Sequence, residues 1–372
     1  MRAGVIRAYV IKEFIELMRT KLIIMVYLMP SMILLLFGYG IKMNVTHARV
    51  IIIDNDQSHY SRILTTKFEH SKYFNPIIKN MSEKDALGLI KKAEADIVII
   101  IPPSFEKKLL KSEDSEIGVF IDGSYPARAT TMANYAKGVI LDTLSKEAKK
   151  AGIKSKIIVL NSRFLFNQSL RDANAIVPGL IGLVMLVAPA ILSALLIVKE
   201  KERGTIFNFF ASPLSKSEFI TAKLFPVFLL HSINIFVLFL LALYIFEVPF
   251  RGSFLLYWLS SEIYILISIA IGMLISVITK RQIVAVILTV IITIIPGFLY
   301  SGMLMPISSM KGDSYIEAHI FPVMYYTHIL YDTFLVGKGL ESAKTLNYLF
   351  IMVLYAFSLI FLSKLFLKKE IR

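Results

Sequence analysis

Apolar positions follow two different patterns along this chain. In residues 22–41, 173–198, 224–246, 253–279, 282–306 and 346–363 they run almost uninterrupted by charge. Each run is long enough to cross the ~30 Å hydrocarbon layer as a helix, so six transmembrane helices are predicted. Between the first and second runs the pattern changes. Residues 50–53, 97–101 and 118–121 are short β-branched runs that read as buried strands, and residues 60–69, 82–95, 104–111 and 127–150 carry helical periodicity. Ser82 with Asp85 three residues on reads as an N-terminal cap, and Pro102-Pro103 ends the strand before it.

This divides the chain into three parts. Residues 1–42 hold an interfacial helix, with Ile6, Tyr9, Val10, Phe14 and Leu17 on one face and Arg7, Lys12, Glu13 and Glu16 off it, followed by the first span. No small-residue cleavage site follows that span, so it reads as uncleaved. Residues 43–172 read as an inserted α/β domain facing water. Residues 173–372 hold spans two to six, with a polar island at 199–223 and a partly apolar stretch at 307–345. Within that stretch, residues 314–336 are interrupted by Glu317, His319, Pro322, His328 and Asp332 and read as helices lying in or dipping into the outer leaflet, re-entrant and not spanning. The fold class is an α-helical polytopic membrane protein with an inserted extracytoplasmic α/β domain.

Composition agrees with the membrane assignment, with 56% hydrophobic residues and a mean hydropathy of +0.67. Charge sets the orientation. Sixteen Lys and Arg residues lie near the N-terminus, in the island, at Lys280-Arg281 and at the C-terminus, whereas the short connections on the other side hold five, namely Lys42, Arg251, Lys311, Lys338 and Lys344. The positive-inside rule then places both termini and the island in the cytoplasm of a multi-pass cell (plasma) membrane protein, with residues 43–172 outside. The net charge of +14 sits beside the spans, where anionic lipid headgroups attract it, and does not point to nucleic acid. The absence of cysteine excludes disulfides and thiolate chemistry.

The island, K-E-K-E-R-G-T-I-F-N-F-F-A-S-P-L-S-K-S-E-F-I-T-A-K, is too patterned for a passive connector. Charges at Lys199 to Arg203 are interrupted by Gly204 and Thr205, and Ile206, Phe207, Phe209 and Phe210 then form an apolar cluster before Ser212 and Pro213. This predicts a short amphipathic helix at the membrane surface. Its aromatics either fill a groove on a soluble partner or enter the headgroup region.

Elsewhere the candidate chemistry is sparse. The six histidines show no metal spacing, and no cofactor or metal site is predicted. His231 and Asn234 share a helix face and predict hydrogen-bonded packing. Glu262, a carboxylate well inside a span, marks either a substrate pathway or a polar partner. Asp332, with His328, Tyr325 and Tyr326, either lines an exit for an amphipathic substrate or belongs to an interfacial aromatic belt. Asp54, Asp56, His59 and Asp122 lie near strand ends but form no nucleophile-base constellation. No phosphate-cradling G-x-x-x-x-G-K-[ST] occurs, so the chain itself is expected not to be an ATPase.

At Glu202-Arg203-Gly204-Thr205 and Ser212-Pro213-Leu214-Ser215 the island resembles the first cytoplasmic loop of the ABC transporter type 2 permeases. Ser301-Gly302 and Pro306 resemble that family's signature at the end of the fifth span, although Met310 is followed by Lys311 where the family usually has proline. The resemblance implies a permease subunit whose coupling helix, here Glu202 to Pro213, docks on a separate ATPase subunit. It also implies a homodimer or a heterodimer with a related permease, and export of a hydrophobic or amphipathic compound, a drug or lipid-like molecule. Glu262, Ser301, Gly302, Pro306 and Asp332 are the candidate substrate path. A membrane-bound enzyme acting on lipid-linked substrates and a membrane-anchored receptor are the alternatives.

Overall fold

The computed structural model describes residues 2–20, 22–41, 45, 47–78, 81–92, 94–111, 113, 115–123, 126–150, 171–212, 214–303, 307 and 310–367. The chain divides into two compact units, Met1–Ile41 with Arg171–Arg372, and Lys42–Leu170. In chain order, α1 (Arg2–Arg19) and α2 (Leu22–Gly40) open the first unit. The second contains β1 (Ala48–Asp54), α3 (His59–Glu69), β2 (Phe74–Ile78), α4 (Glu83–Lys91), β3 (Ile97–Ile101), α5 (Phe105–Leu110), β4 (Gly118–Ile121) and α6 (Pro126–Lys150). The first unit resumes with α7 (Asp172–Glu202), α8 (Ile206–Ala211), α9 (Lys216–Leu240), α10 (Phe254–Ile278), α11 (Gln282–Tyr300), α12 (Asp313–Ile320), α13 (Pro322–Tyr331) and α14 (Ala343–Phe366).

In the helical unit α7 is the axis. It is buried on nearly every side from Ile176 to Val198, with α2, α9, α10, α11 and α13 packed around it. Glycines permit the closest of these approaches. A side chain at Gly182 of α7 would collide with Thr327 of α13, and one at Gly272 of α10 would collide with the backbone of α7 at Ala190. With 31 residues, α7 is about 46 Å long, well beyond the ~30 Å an apolar slab requires. Its charged last turn, Lys199 to Glu202, therefore extends past its apolar length.

Among the described residues five helices are long and apolar enough to cross a membrane: α7, α9 with its π turn to Ile245, α10, α11 and α14. The first predicted run is occupied by α2, apolar over Val26–Gly40. The interrupted stretch forms α12 and α13, eight and ten residues long, hinged at the extended Phe321 before Pro322. Even with the π turn Asp332–Val336 that continues α13, these helices are roughly 12 and 22 Å long, short of the ~30 Å layer. The polar groups of α13 find partners in the protein: the Tyr326 hydroxyl lies 2.8 Å from Ser261 Oγ, and Thr327 Oγ1 donates to the Ser301 carbonyl at 2.7 Å.

The Lys42–Leu170 unit is a four-stranded sheet in the order β2-β1-β3-β4, with β1 parallel to β2 and β3, and β4 antiparallel to β3. Its central strands are continuous apolar runs because both faces are covered. Val50, Ile52, Ile97, Ile99 and Ile101 pack with Leu64 and Phe68 of α3 and Met132 of α6, and Ile51, Ile53 and Val98 pack with Ala86 of α4. Ser82 caps α4 by accepting from the Asp85 amide, as its spacing predicts.

One ionic cluster ties β1 to the loop before β3 and to α6. Asp96 accepts from the Arg49 amide at 2.9 Å, from the Arg49 guanidinium at 3.2 Å and from Arg128 at 3.3 Å. Burial pushes Asp96 up, but the Arg49 hydrogen bonds and the Arg128 charge outweigh it and hold the carboxyl below its ordinary value. A depressed folded-state value means this contribution is complete above the unfolded value, about pH 4, and is lost as pH falls through the lower folded one. Amide exchange in β1 and β3 of the full chain, corrected for intrinsic rates, is expected to accelerate as pH drops below about 4. Asp96→Asn is expected to reduce that response, and equal acceleration in both proteins would assign it to other carboxylates.

Candidate functional site

The 199–223 segment is a helix, a turn, a short helix, a second turn and a helix. The stop of α7 is set by Gly204, whose φ of 75° lies in the left-handed region that favours glycine. Thr205 Oγ1 then donates back to the Glu200 carbonyl at 3.4 Å, and α8 follows at once. Ser212 ends α8 by donating to the Phe209 carbonyl at 2.7 Å. Ser215 opens α9 with a capping box: its hydroxyl accepts from the Glu218 amide, and the Glu218 carboxylate accepts from the Ser215 amide. Both turns are thus bound by short-range chemistry that holds α8 in one orientation.

The aromatics of α8 do not all face outward, which corrects the sequence expectation. Phe207 is 51% exposed, whereas Phe209 is 1% exposed and stacks on Phe219 of α9 with ring centroids 4.0 Å apart. Helical spacing explains the split, because Ile206 and Phe209, three residues apart, share the inner face with Leu214, and Phe207 turns away from it. Pro213 and the side chain of Phe210 lie outside the described residues.

The charges preceding the turn, Lys199 to Glu202, are each held by a different element. Lys199 Nζ donates to Glu16 Oε1 of α1 at 2.9 Å, a hydrogen bond that holds the Glu16 carboxyl below its ordinary value. Glu200 Oε1 lies 2.5 Å from Lys223 Nζ of α9, which is also 2.8 Å from Glu13 Oε2 of α1. Lys223 and Glu13 are 2% and 1% exposed, so this is a buried triad. The Lys201 ammonium donates to the carbonyls of Ser276, Val277 (3.0 Å) and Thr279 (3.4 Å) at the end of α10. Glu202 Oε2 accepts from the amide and side chain of Gln282, at 3.1 and 2.8 Å, at the start of α11. Glu202, expected to meet a partner, is exposed and also binds within the chain. Arg203 is exposed. The roles of Glu13, Glu16, Lys223 and Gln282 were missed, and the available signal was a lysine inside an apolar helix and two acids three residues apart on α1.

The described candidate path residues each have contacts of their own. Glu262 accepts from Ser232 Oγ of α9 at 2.6 Å, and its other oxygen is buried without a hydrogen-bond partner among the described residues. Ser301 accepts from the Met303 amide, and Gly302 takes a φ of 75°, so both serve the turn after α11. Asp332 is paired with Lys338 at 3.0 Å, and Pro306 lies outside the described residues. Among the described residues, Glu262, Ser301, Gly302 and Asp332 do not line the apolar cleft of about 240 Å³ between α2, α7 and α11, which is walled by Met29, Ile33, Phe37, Val184, Val187 and Phe298. On α9, Asn234 Nδ2 donates to the Val26 carbonyl of α2 at 3.1 Å, as packing predicts, whereas neither ring nitrogen of the buried His231 has a partner among the described residues.

In the sheet unit the carboxylates near strand ends are engaged in turns. Asp54 accepts from the Asp56 and Gln57 amides and from Ser61 Oγ, and Asp56 accepts from the Phe105 and Glu106 amides at the start of α5. Among the described residues no group of three or more His, Asp or Glu side chains is placed to hold a metal ion.

Comparison with known proteins adds a family. A family model described as "ABC-2 family transporter protein" matches residues 21–362. The chain is 27% identical over 370 residues to the probable multidrug ABC transporter permease YbhS of Escherichia coli (strain K12), covering 99% of this chain and 97% of that protein. It is 25% identical over 333 residues to the probable multidrug ABC transporter permease YbhR of the same organism, covering 89% of each. It is 21% identical over 368 residues to ABC transporter G family member 20 of Dictyostelium discoideum, covering 96% of this chain and 50% of that protein. No solved structure matches the chain.

Proposed function

The chain belongs to the ABC-2 transporter family, and we propose that it is the permease subunit of an exporter driven by a separate ATPase subunit. The observation that carries the coupling role is the construction of α8. Thr205 bridges the turn before it, Ser212 and the Ser215 capping box close the turn after it, Phe209 pins it to α9, and Phe207 stands half exposed on its outer face. An aromatic knob on a rigid mount suits a groove on a partner, because little conformational freedom is lost on docking. A push on α8 passes into α7 and α9, and two permease copies, identical or related, then exchange access between the two sides of the membrane.

The remaining assignments follow from this role. With α2 counted, six spans put both termini and α8 in the cytoplasm and Lys42–Leu170 outside, as the lysine and arginine distribution requires. The apolar cleft against α2, α7 and α11 suits a hydrophobic or amphipathic compound, consistent with the word "multidrug" in the names of the Escherichia coli relatives. The row Ile283, Ile287, Ile291 and Ile295 on α11 faces outward, toward lipid or a second permease.

The test is purification of the chain expressed with its genomic neighbours. An ATPase subunit is expected to remain bound, and Phe207→Asp is expected to reduce its retention about tenfold or more while thermal stability is unchanged. Phe209→Leu is expected to do the reverse, costing about 1 kcal/mol of stability through the lost ring stack. If the unaltered chain retains no ATPase subunit, the coupling role is refuted.

A further inference from the structure

Lys201 and Glu202 end α7; Lys201 is half-buried, and Glu202, though exposed, binds back within the chain. They meet the two sides of the turn at Thr279, Lys280 and Arg281, where α10 stops and α11 starts. The end of a helix presents carbonyl oxygens and partial negative charge, and the start of a helix presents amide hydrogens and partial positive charge. The pair matches both in order, with the Lys201 ammonium on the carbonyls of Ser276, Val277 and Thr279 and the Glu202 carboxylate on the Gln282 amide. At the start of α11 no local cap is supplied, since Arg281 makes no side-chain cap, and at the end of α10 the Thr279 hydroxyl takes the Ile275 carbonyl and leaves later ones to Lys201. One dipeptide from a distant helix therefore closes two helix ends at once.

We propose that Lys201 and Glu202 are positioning residues that make the α10–α11 turn move with the end of α7, so that a push on α8 reaches four membrane helices and not only α7 and α9. The inference rests on the coupling role proposed above and extends it. Without the pair, the stroke would enter through α7 and α9, and α10 and α11 would follow through contacts higher along α7, among them the hydrogen bonds of Ser193, Tyr264 and Ser268 between α7 and α10, with no such link at the turn itself. With it, the turn and the end of α7 are joined by directional, charge-assisted hydrogen bonds that keep their geometry as the helices tilt. The reversed order, Glu then Lys, would put like charge against both ends.

The absence of cysteine from the chain allows a direct test. A bimane fluorophore on Lys280→Cys, an exposed position in the turn, reports the movement in a complex purified with its ATPase subunit. Trapping with ATP and vanadate is expected to shift the bimane emission. The reversal Lys201→Glu/Glu202→Lys, which preserves composition and net charge, is expected to reduce the shift at least fivefold in complexes that retain the ATPase subunit. Lys201→Met, which keeps the aliphatic stem, is expected to reduce it at least twofold, so the test survives if the reversed chain does not fold. Lys201→Arg, still able to donate to the carbonyls, is expected to keep it.

An undiminished shift in Lys201→Met overturns the inference, as does the absence of any shift in an unaltered complex that hydrolyses ATP. Loss of the ATPase subunit from the unaltered chain overturns the coupling role and this inference with it.

Discussion

Lys223→Met is expected to cost about 3–5 kcal/mol of stability, the penalty typical of removing one partner from a buried ion pair. Lys223 Nζ stands between Glu13 and Glu200 at 2.8 and 2.5 Å, and all three side chains are largely out of water. Without the ammonium, two carboxylates from α1 and α7 face one another in an apolar setting, and one Glu200 oxygen already lacks a hydrogen-bond partner among the described residues. The nearest remaining cation is Lys12, 3.3 Å from Glu13 and mostly exposed, so it screens the excess charge only in part. The measurement is unfolding in mixed micelles followed through Trp258, the chain's single tryptophan, on α10. The neutral triple variant Glu13→Gln/Lys223→Met/Glu200→Gln is expected to regain most of the loss, because a buried pair contributes little beyond what its own desolvation removes. A loss below about 1 kcal/mol in the single variant would show that the site is hydrated and behaves as a surface pair.

That triad marks where the sequence stopped being informative. Apolar runs located the helices, because length and absence of charge are local properties, and five of the six runs coincide with α7, α9, α10, α11 and α14. Strands β1, β3 and β4 were visible as β-branched runs. The strand β2 was not, because Pro76 within F-N-P-I-I argues against a strand unless it lies at a sheet edge, and β2 is an edge strand. The position of the 199–223 segment was legible from its motif, and its helix from its periodicity. The inward turn of Phe209 was available from the same periodicity through its spacing to Ile206, but three aromatics in five residues read as one outward cluster. The partners of Lys199 to Glu202 were beyond reach, since they lie 75 to 183 residues away for Lys199, Lys201 and Glu202. A charge announces that it needs a partner, not which one. For the candidate path the sequence offered motif residues such as Ser301 and Gly302, whose visible chemistry in the structure serves a turn.

Gly272→Ala is expected to destabilise the helical unit by about 3 kcal/mol, the upper end of ordinary overpacking, and Gly272→Val is expected to prevent folding. Most small-to-large changes in a core displace a side chain that can rotate away. At Gly272 a new methyl would meet the carbonyl oxygen of Ala190 and Ser193 Oγ, and would lie 2.8 Å from the Ala190 carbonyl carbon. The obstacle is the backbone of α7, which is buried on nearly every side and so has no free direction to retreat. The same contact is bridged by Ser193 Oγ, which donates to the Ile269 carbonyl of α10 at 3.0 Å and would be lost if the helices separated. Small residues at such crossings let helices approach where the lipid supplies no hydrophobic drive between them. Two comparisons isolate the cause. Adding Ser193→Ala to Gly272→Ala is expected to give no rescue, because the Ala190 backbone remains in the way. Gly138→Ala in α6, where nothing lies within 4 Å of the new methyl, is expected to be neutral or to stabilise by up to about 1 kcal/mol through helix propensity. Wild-type stability in Gly272→Ala would show that α7 and α10 do not touch there. Their separation matters for function because α7 ends in the residues that hold the α10–α11 turn, so a crossing that slips at Gly272 would loosen that turn as well.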